Sequence, residues 1–398
     1  MAKRVFLHIG VPKTGTTFLQ TTMWRHSDRL RDEGVLLPGE GHAVHRWGSL
    51  VVREDPRLDE RDPAARGSWD AIVAELDAWP GTAVISHEFY AGATAVQAQR
   101  AVDALAPAEV HLVVTARNPL SLLTASWQEA LKWRCVTPLD DFNRDVSTSP
   151  HDFWNWRNLD VAEVLDRWGP TVPADRVHLI PLPHRRAADA DLWNRFAGLF
   201  SADPAAYDLR DAVRNESMGL VECELMRLVS PHLSDLPTAG SVSRWVRGYV
   251  AENKLVPRSG ERFHPSAHRI QQCRDRGEQI VARLRATQYH VIGDVDDLLV
   301  PADLPPLRTP ADVSPAEVAG AGAALVAEIL QDLRRTDLQL RTRNQRASRW
   351  ALSPLKRSVR RGAAVLRGRT SAEQAGPGRV RRLRQLMGRP AFAGPEPR

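Results

Sequence analysis

A short apolar run followed at once by a glycine-containing loop limits the fold of this chain more than any other feature. Residues 4–9 (RVFLHI) favour a strand. The run breaks at Gly10, and a helical pattern extends from Thr16 to about Arg31. A strand, a glycine loop and a helix in this order surround an anion with loop amides and the positive end of a helix dipole. The sequence therefore predicts a phosphate-binding loop, with an ordinary strand-to-helix turn as the alternative.

The position of the lysine separates this loop from that of the nucleotide triphosphatases. Their loop reads G-x-x-x-x-G-K-[ST], with the lysine directly after the second glycine. Gly10 and Gly15 have this spacing, but Thr16 stands where the lysine should be, and the lysine lies inside the loop as Lys13. The segment 12–17 (PKTGTT) resembles the 5′-phosphosulfate loop of the sulfotransferases that use 3′-phosphoadenosine 5′-phosphosulfate (PAPS).

This resemblance implies a role for each residue of the loop. Lys13 would stabilise the charge that develops on the departing phosphate. The 5′-phosphate would be bound by the residues that follow, which are Thr14, Gly15, Thr16 and Thr17. The family works without a metal ion, and we expect none here.

A second segment, 112–119 (LVVTARNP), resembles the family motif in which an arginine after a strand binds the 3′-phosphate of the donor. Arg117 is that arginine, and its planar fork suits a phosphate. The family's assisting serine, eight residues later, is replaced by Ala125, so Ser121 and Ser126 become the candidates. The alternative for Arg117 is a surface arginine at the edge of a sheet.

The candidate general base lies after a third apolar run. The acceptor must lose a proton as it attacks, and a nearby side chain must take it. His87 and Glu88 follow the predicted strand 82–86, and neighbours on an extended segment point to opposite sides. Only one of them can face the sulfur, and we favour Glu88, with His87 as the alternative.

Apolar runs alternate with helical patterns through the first half of the chain, which indicates a mostly parallel sheet with helices on both faces. Ligands bind beyond the carboxyl ends of such strands. The sequence therefore predicts a three-layer α/β fold of the P-loop-like sulfotransferase type, with a mostly helical C-terminal half. Three loops should converge at one sheet edge, namely 10–17, 87–88 and 116–119.

Several other segments are interpreted more simply. Residues 39–66 resemble a long polar loop, and 152–168 resemble one helix. Lys254, Arg258 and Arg262 indicate a basic loop that could cover the adenosine end of the donor. We place the domain at 1–338 and a basic, partly helical or disordered tail at 339–398.

Charge is distributed unevenly along the chain. The net charge is +6, but residues 341–398 contain 16 basic and two acidic residues, whereas the preceding 340 contain 38 basic and 46 acidic. The tail could contact an anionic membrane or remain solvated, and nucleic acid is an unlikely partner because no recognised nucleic-acid fold accompanies it. Three widely spaced cysteines, and no apolar run of about 20 residues, predict a cytoplasmic protein that could be membrane-peripheral.

The sequence as a whole predicts transfer of a sulfuryl group from PAPS to a hydroxyl or amine acceptor. The rivals are a kinase-like phosphotransferase and a non-catalytic protein that binds anions or membranes through its tail. The acceptor, whether a small molecule, glycan or lipid, and the oligomeric state are left open.

Overall fold

The computed structural model describes residues 1–56, 58, 63–149, 152–184, 189–200, 202–209 and 217–370, with only the backbone given for 189–190 and 344–370. Within these residues a six-stranded sheet has the order β2-β3-β1-β4-β5-β6, and every neighbouring pair is parallel. The strands are β1 Arg4–His8, β2 Val35–Leu36, β3 Thr82–Ser86, β4 Glu109–Ala116, β5 Val177–Pro181 and β6 His290–Val291.

Helices fill the connections between the strands and most of the chain after β5. They are α1 Thr16–Arg25, α2 Ser27–Asp32, α3 His42–Val52, α4 Ser68–Ala78, α5 Ala95–Asp103, α6 Pro119–Lys132, α7 Trp156–Leu159, α8 Val161–Trp168, α9 Asp189–Ala197, α10 Leu220–Val229, α11 Ala239–Val242, α12 Ala267–Arg285 and α13 Pro315–Thr370. A π-helical segment, Ser243–Leu255, follows α11 directly.

Side-chain caps explain where α5 and α6 begin. Asn118 accepts a hydrogen bond from the amide of Ser121, and Pro119 occupies the first turn, so α6 begins directly after β4. Thr94 and Gln97 form a reciprocal capping box at the start of α5. These two caps set the residues at which the chain becomes helical after β3 and after β4.

Both faces of the sheet are buried, as a three-layer arrangement requires. On one face, Phe6 and Ile180 belong to a core cluster that includes Phe18 of α1 and Trp193 of α9. The alternate residues of β1, such as Leu7, are also fully buried, on the opposite face. The predicted three-layer α/β fold with a parallel sheet is confirmed.

The prediction of a long polar loop at 39–66 is wrong, because α3 occupies 42–52. Its buried face includes His45, Gly48 and Ser49, which are not apolar. His45 Nε2 donates to the carbonyl of Pro38 at 2.9 Å, and its Nδ1 accepts from the Ser86 amide at 3.2 Å. Leu50 is the apolar member of this buried face, and polar and small residues interrupt the apolar stripe from which the sequence would predict a helix.

Two further predictions need correction. Residues 152–168 form α7 and α8 instead of one helix, because Asp160 interrupts the pattern and caps α8 through the amides of Ala162 and Glu163. In the predicted basic loop, Lys254 belongs to the π-helical segment and Arg258 to a short turn, whereas Arg262 lies in irregular chain.

The chain divides into two compact units, Met1–Leu325 and Val326–Arg398. The described part of the second unit, 326–370, is helical. The last 28 residues of the predicted basic tail, 371–398, lie outside the described residues. Among the described helices, none combines the length and the apolar character needed to cross a membrane.

Buried histidines should make the fold sensitive to acid. Burial lowers the pKa of His8 and His178 to about 4 and that of His45 to about 3, whereas the unfolded side chains titrate near 6.5. The folded state therefore binds fewer protons than the unfolded state between these values, and the stability present above pH 6.5 is lost as the pH falls. We expect the free energy of unfolding to fall by ~1.4 kcal/mol per pH unit for each such histidine.

Denaturant unfolding at pH 7.0, 6.0 and 5.0 measures this slope. The variant His45→Gln, which cannot titrate, should show a slope smaller by about one histidine. A free energy of unfolding that stays constant or rises on acidification contradicts the prediction.

Candidate anion-binding site

Three loops meet at the carboxyl edge of the sheet, where the sequence predicts them. The loop after β1 is held to β4 by two main-chain hydrogen bonds, from the Thr115 amide to the Gly10 carbonyl at 2.7 Å and from the Val11 amide to the Thr115 carbonyl at 2.9 Å. The loop after β3 is joined to β1 by the amide of His87, which donates to the carbonyl of His8 at 3.1 Å. The order β3-β1-β4 therefore brings the predicted lysine, acid–base pair and arginine to the same edge.

The loop after β1 depends on glycine at two positions. Gly10 has a φ of 114° and Gly15 a φ of 85°, a region that side-chain-bearing residues rarely adopt. A Cβ atom on Gly10 would lie 3.2 Å from the carbonyl oxygen of Glu88 and 3.3 Å from its Cα. Gly10 therefore lets the loop pack directly on the backbone of the candidate base. Lys13 also has a positive φ, of 65°.

The N-terminus of α1 presents main-chain donors. Its N-cap is Gly15, and no side chain caps the helix, so its first amides are available to an anion. Thr16 is buried and Thr17 is half-buried. The hydroxyl of Thr14 is bonded to the Val11 carbonyl and the Thr115 hydroxyl, so this residue can offer a ligand only its main chain.

Lys13 is held by a carboxylate that the sequence analysis did not assign. Its Nζ lies 3.0 Å from Oε2 of Glu129, whose side chain is 8% exposed. Glu129 Oε1 accepts from Nε of Arg247 at 3.0 Å, and Lys132 Nζ lies 3.7 Å from Oε2. Burial alone would raise the pKa of Glu129, but Lys13, Lys132 and Arg247 outweigh it and lower the pKa to about 2.

His87 and Glu88 have different environments. His87 is 3% exposed, and its Nδ1 accepts a hydrogen bond from the Phe89 amide at 3.1 Å. Burial lowers the pKa of His87 to about 4, so the ring is neutral near pH 7 and carries its proton on Nε2. Its free lone pair is therefore already used by the main chain, which disfavours His87 as a base.

Glu88 is more accessible, with 20% of its side chain exposed. Its Oε2 accepts from Nε2 of Gln20 at 3.1 Å, and Gln20 Oε1 accepts in turn from Nε2 of His42 at 2.7 Å. Burial acts to raise the pKa of Glu88, but His87, the Glu88 amide and Gln20 keep the pKa below its ordinary value. Glu88 is therefore an ionised carboxylate held in place by an amide.

Arg117 follows β4 and is exposed. Partial loss of hydration and, after it, the positive charge of Arg262 lower the pKa of Arg117, so Arg262 lies within electrostatic range of Arg117. Among the described residues, neither arginine forms a hydrogen bond or an ion pair. Two neighbouring cations without a carboxylate between them suit a doubly charged anion.

The two candidate serines of α6 differ in access. Ser121 is half-buried in the first turn. Ser126 is fully buried, and its hydroxyl donates to the carbonyl of Leu123 at 3.1 Å. In this conformation only Ser121 can reach a ligand.

A cleft of about 710 Å³ lies beside the C-terminal end of α6. Its lining includes Trp133 and Trp154. The ring of Trp154 lies 5.2 Å from that of Phe153, which lies 4.4 Å from that of Phe89, the residue after Glu88. The packed rings of Phe153 and Phe89 therefore lie between the cleft and the candidate base, and the described lining of the cleft includes no residue of the three site loops.

The sequence analysis missed several residues of the site. Gln20 could have been found from helix periodicity, because it lies four residues after Thr16 on the same face of α1. The positions of Glu129 and Arg247 depend on the packing of α6 against the π-helical segment, for which the sequence holds no local signal.

The fold and the site together define a parallel α/β protein with a candidate anion-binding edge. No family model matches the chain, and no curated protein matches it. The solved structures that are similar to it include two sulfotransferases. The sulfotransferase from Alicyclobacillus acidocaldarius is 14% identical over 63% of this chain and 99% of its own, with a TM-score of 0.38. The sulfotransferase domain from the curacin biosynthetic pathway is 12% identical over 73% of this chain and 99% of its own, with a TM-score of 0.29. Both likenesses are too distant to assign a function to this chain.

The contact between Gly10 and Glu88 should be visible in stability. Gly10→Ala should lower the free energy of unfolding by about 1–3 kcal/mol, because alanine is strained at this φ and its Cβ would meet backbone atoms that cannot move aside. Gly34→Ala is the matched control, since Gly34 has a φ of 83° but no atom within 4 Å of the position that a Cβ would take. Denaturant unfolding of both variants provides the comparison, and equal losses contradict the proposed close contact.

Proposed function

We propose that the protein transfers a sulfuryl group from PAPS to an acceptor hydroxyl or amine. One observation carries this proposal. A lysine-containing loop at an uncapped helix N-terminus lies at the same sheet edge as Arg117, which has no carboxylate partner among the described residues and lies within electrostatic range of Arg262. PAPS carries an anionic group at each end of its ribose, at the 5′ and the 3′ position, so it suits both features.

The donor would bind through main chain at one end and through guanidinium groups at the other. The amides of Gly15, Thr16 and Thr17 would bind the 5′-phosphate, as an uncapped helix N-terminus favours. Arg117 and Arg262 would bind the 3′-phosphate, with Ser121 beside them. Of the three residues in the predicted basic loop, we assign this role to Arg262.

The chemical step is an in-line displacement at sulfur. Glu88 accepts the proton of the acceptor hydroxyl, and the acceptor oxygen forms a bond to sulfur. The bond between sulfur and the bridging oxygen breaks, and 3′,5′-ADP leaves with that oxygen. The ammonium of Lys13 stabilises the negative charge that the bridging oxygen gains.

The acceptor would enter through the cleft beside α6. The cleft volume falls within the range of small-molecule sites, about 300–1,000 Å³. Trp133 and Trp154 offer flat apolar surfaces, and the reactive group of a bound acceptor would extend past the ring of Phe153 to reach Glu88. A small molecule, a glycan or a lipid headgroup fits this description. Contact of the tail with an anionic membrane stays a prediction.

Mass spectrometry tests the proposal directly. The protein is incubated with PAPS and an extract of its source cells, and products that have gained one SO₃ group are sought. Lys13→Ala should reduce their formation by at least ~100-fold. Absence of any such product, together with thermal stabilisation by Mg·ATP but not by 3′,5′-ADP, favours a kinase-like activity instead.

Arg117→Gln should weaken the binding of 3′,5′-ADP by about 10-fold or more, because a charge-assisted hydrogen bond to the 3′-phosphate is lost. Binding of 5′-AMP, which lacks that phosphate, should change little. Titration calorimetry with the two nucleotides measures the difference. The exposed Arg100, which pairs with Glu54, gives the control variant Arg100→Gln. Equal losses for both nucleotides would remove Arg117 from the proposed role.

Glu88→Gln should abolish turnover and leave the affinity for 3′,5′-ADP intact, because an amide cannot accept the proton. His87→Gln should retain measurable turnover, since its Nδ1 serves the main chain. Steady-state kinetics with a sulfated product as readout separates the two. Loss of turnover in His87→Gln with retention in Glu88→Gln reverses the assignment.

A further inference from the structure

The ammonium of Lys13 belongs to a network of five charged side chains. Glu129 of α6 contacts Lys13, Lys132 and Arg247, and Glu252 contacts Arg247 at 3.0 Å and Lys132 at 3.8 Å. Three cations and two carboxylates give the group a net charge of +1. Glu129 is the more buried carboxylate, at 8% exposed against 38% for Glu252.

The ion pair sets the direction of the Lys13 side chain. Glu129 lies in the last turn of α6, whereas Arg117 precedes its first turn. A helix rises 1.5 Å per residue, so Glu129 lies about 15 Å along the helix axis from Pro119, the first residue of α6. Glu129 therefore draws the ammonium of Lys13 towards the C-terminal end of α6, away from the end that Arg117 precedes.

Glu129 remains charged near pH 7 when Lys13 moves away. Lys132 and Arg247 stay beside it, so the carboxylate keeps two cationic partners and is not left unpaired in a buried position. The energetic cost of releasing Lys13 is thereby reduced. An anion near the loop can take the ammonium without stranding the carboxylate.

We infer that Glu129 is a positioning residue that competes with the donor for Lys13. In the unliganded protein it holds the ammonium at the C-terminal end of α6, and the 5′-phosphosulfate of the donor displaces it. This inference rests on the proposed function for the identity of the anion, but the contact between Glu129 and Lys13 can be tested without any nucleotide.

The first experiment measures the chemical reactivity of Lys13. Wild type and Glu129→Gln are treated with an amine-acylating reagent, and modification of Lys13 is followed by peptide mass spectrometry. Because an ion-paired ammonium is less available to the reagent, we expect labelling to rise at least ~3-fold in the variant. The control is Glu224→Gln, since Glu224 is also 8% exposed and pairs with an arginine, Arg227, at 2.7 Å. Unchanged labelling in Glu129→Gln overturns the inference.

The second experiment measures the binding of 3′,5′-ADP. If Lys13 lies between the two anions, Glu129 is about 6 Å from the bound phosphate, and removing its charge should tighten binding by ~3-fold to ~100-fold, the values for water-like and protein-surface dielectrics. The KM for PAPS should fall in parallel, with no increase in kcat. A residue with only a structural role would instead weaken binding when changed, so weaker or unchanged affinity in a folded Glu129→Gln overturns the inference.

Two further comparisons keep the outcomes distinct. If Glu129→Gln does not fold, Glu129→Asp shortens the side chain by one methylene, and the same directions of change are expected. If wild type binds no 3′,5′-ADP but Lys13 labelling rises in Glu129→Gln, the proposed function fails while the contact stands. If wild type binds the nucleotide and the variant binds it equally well, the competition is wrong and the proposed function stands.

Discussion

The pairing of β1 with β4 is the interaction on which the site depends. Two main-chain hydrogen bonds between the Gly10–Val11 peptide region and Thr115 extend the sheet contact into the loop. They fix the loop relative to the end of β4, which Arg117 follows directly. The same loop packs on the backbone of Glu88 through Gly10. A parallel sheet therefore positions a lysine, a carboxylate and an arginine that are distant in sequence, without any contact among their side chains.

The charged groups at this edge differ in whether ionic partners offset the cost of removing them from water. The buried carboxylate of Glu129 stays ionised because three cations surround it. Arg117 and Arg262 have no such partner among the described residues, and their mutual repulsion is relieved when an anion lies between them. The site thus combines one cation that is held by a carboxylate with two that are not. In the proposed complex, this asymmetry would give the two ends of the nucleotide different energetic roles.

The sequence predicted the sheet and the convergence of three loops at one edge because buried parallel strands are short apolar runs that end in glycine, proline or polar residues. Residues 82–86 were found with their observed bounds for this reason. It failed at α3, whose buried face is built from His45, Gly48 and Ser49, and at Asp160, where a cap divides one helical pattern in two. The counter-ion of Lys13 was also missed, since an ion pair between residues 116 positions apart leaves no local pattern.

The arrangement of the donor is the central claim of this account, and a crystal structure of the complex with 3′,5′-ADP tests it most directly. In the proposed binding mode, the 5′-phosphate lies at the amides of Thr16 and Thr17, and the 3′-phosphate lies between Arg117 and Arg262. A nucleotide bound elsewhere, or a 3′-phosphate that contacts neither arginine, contradicts it.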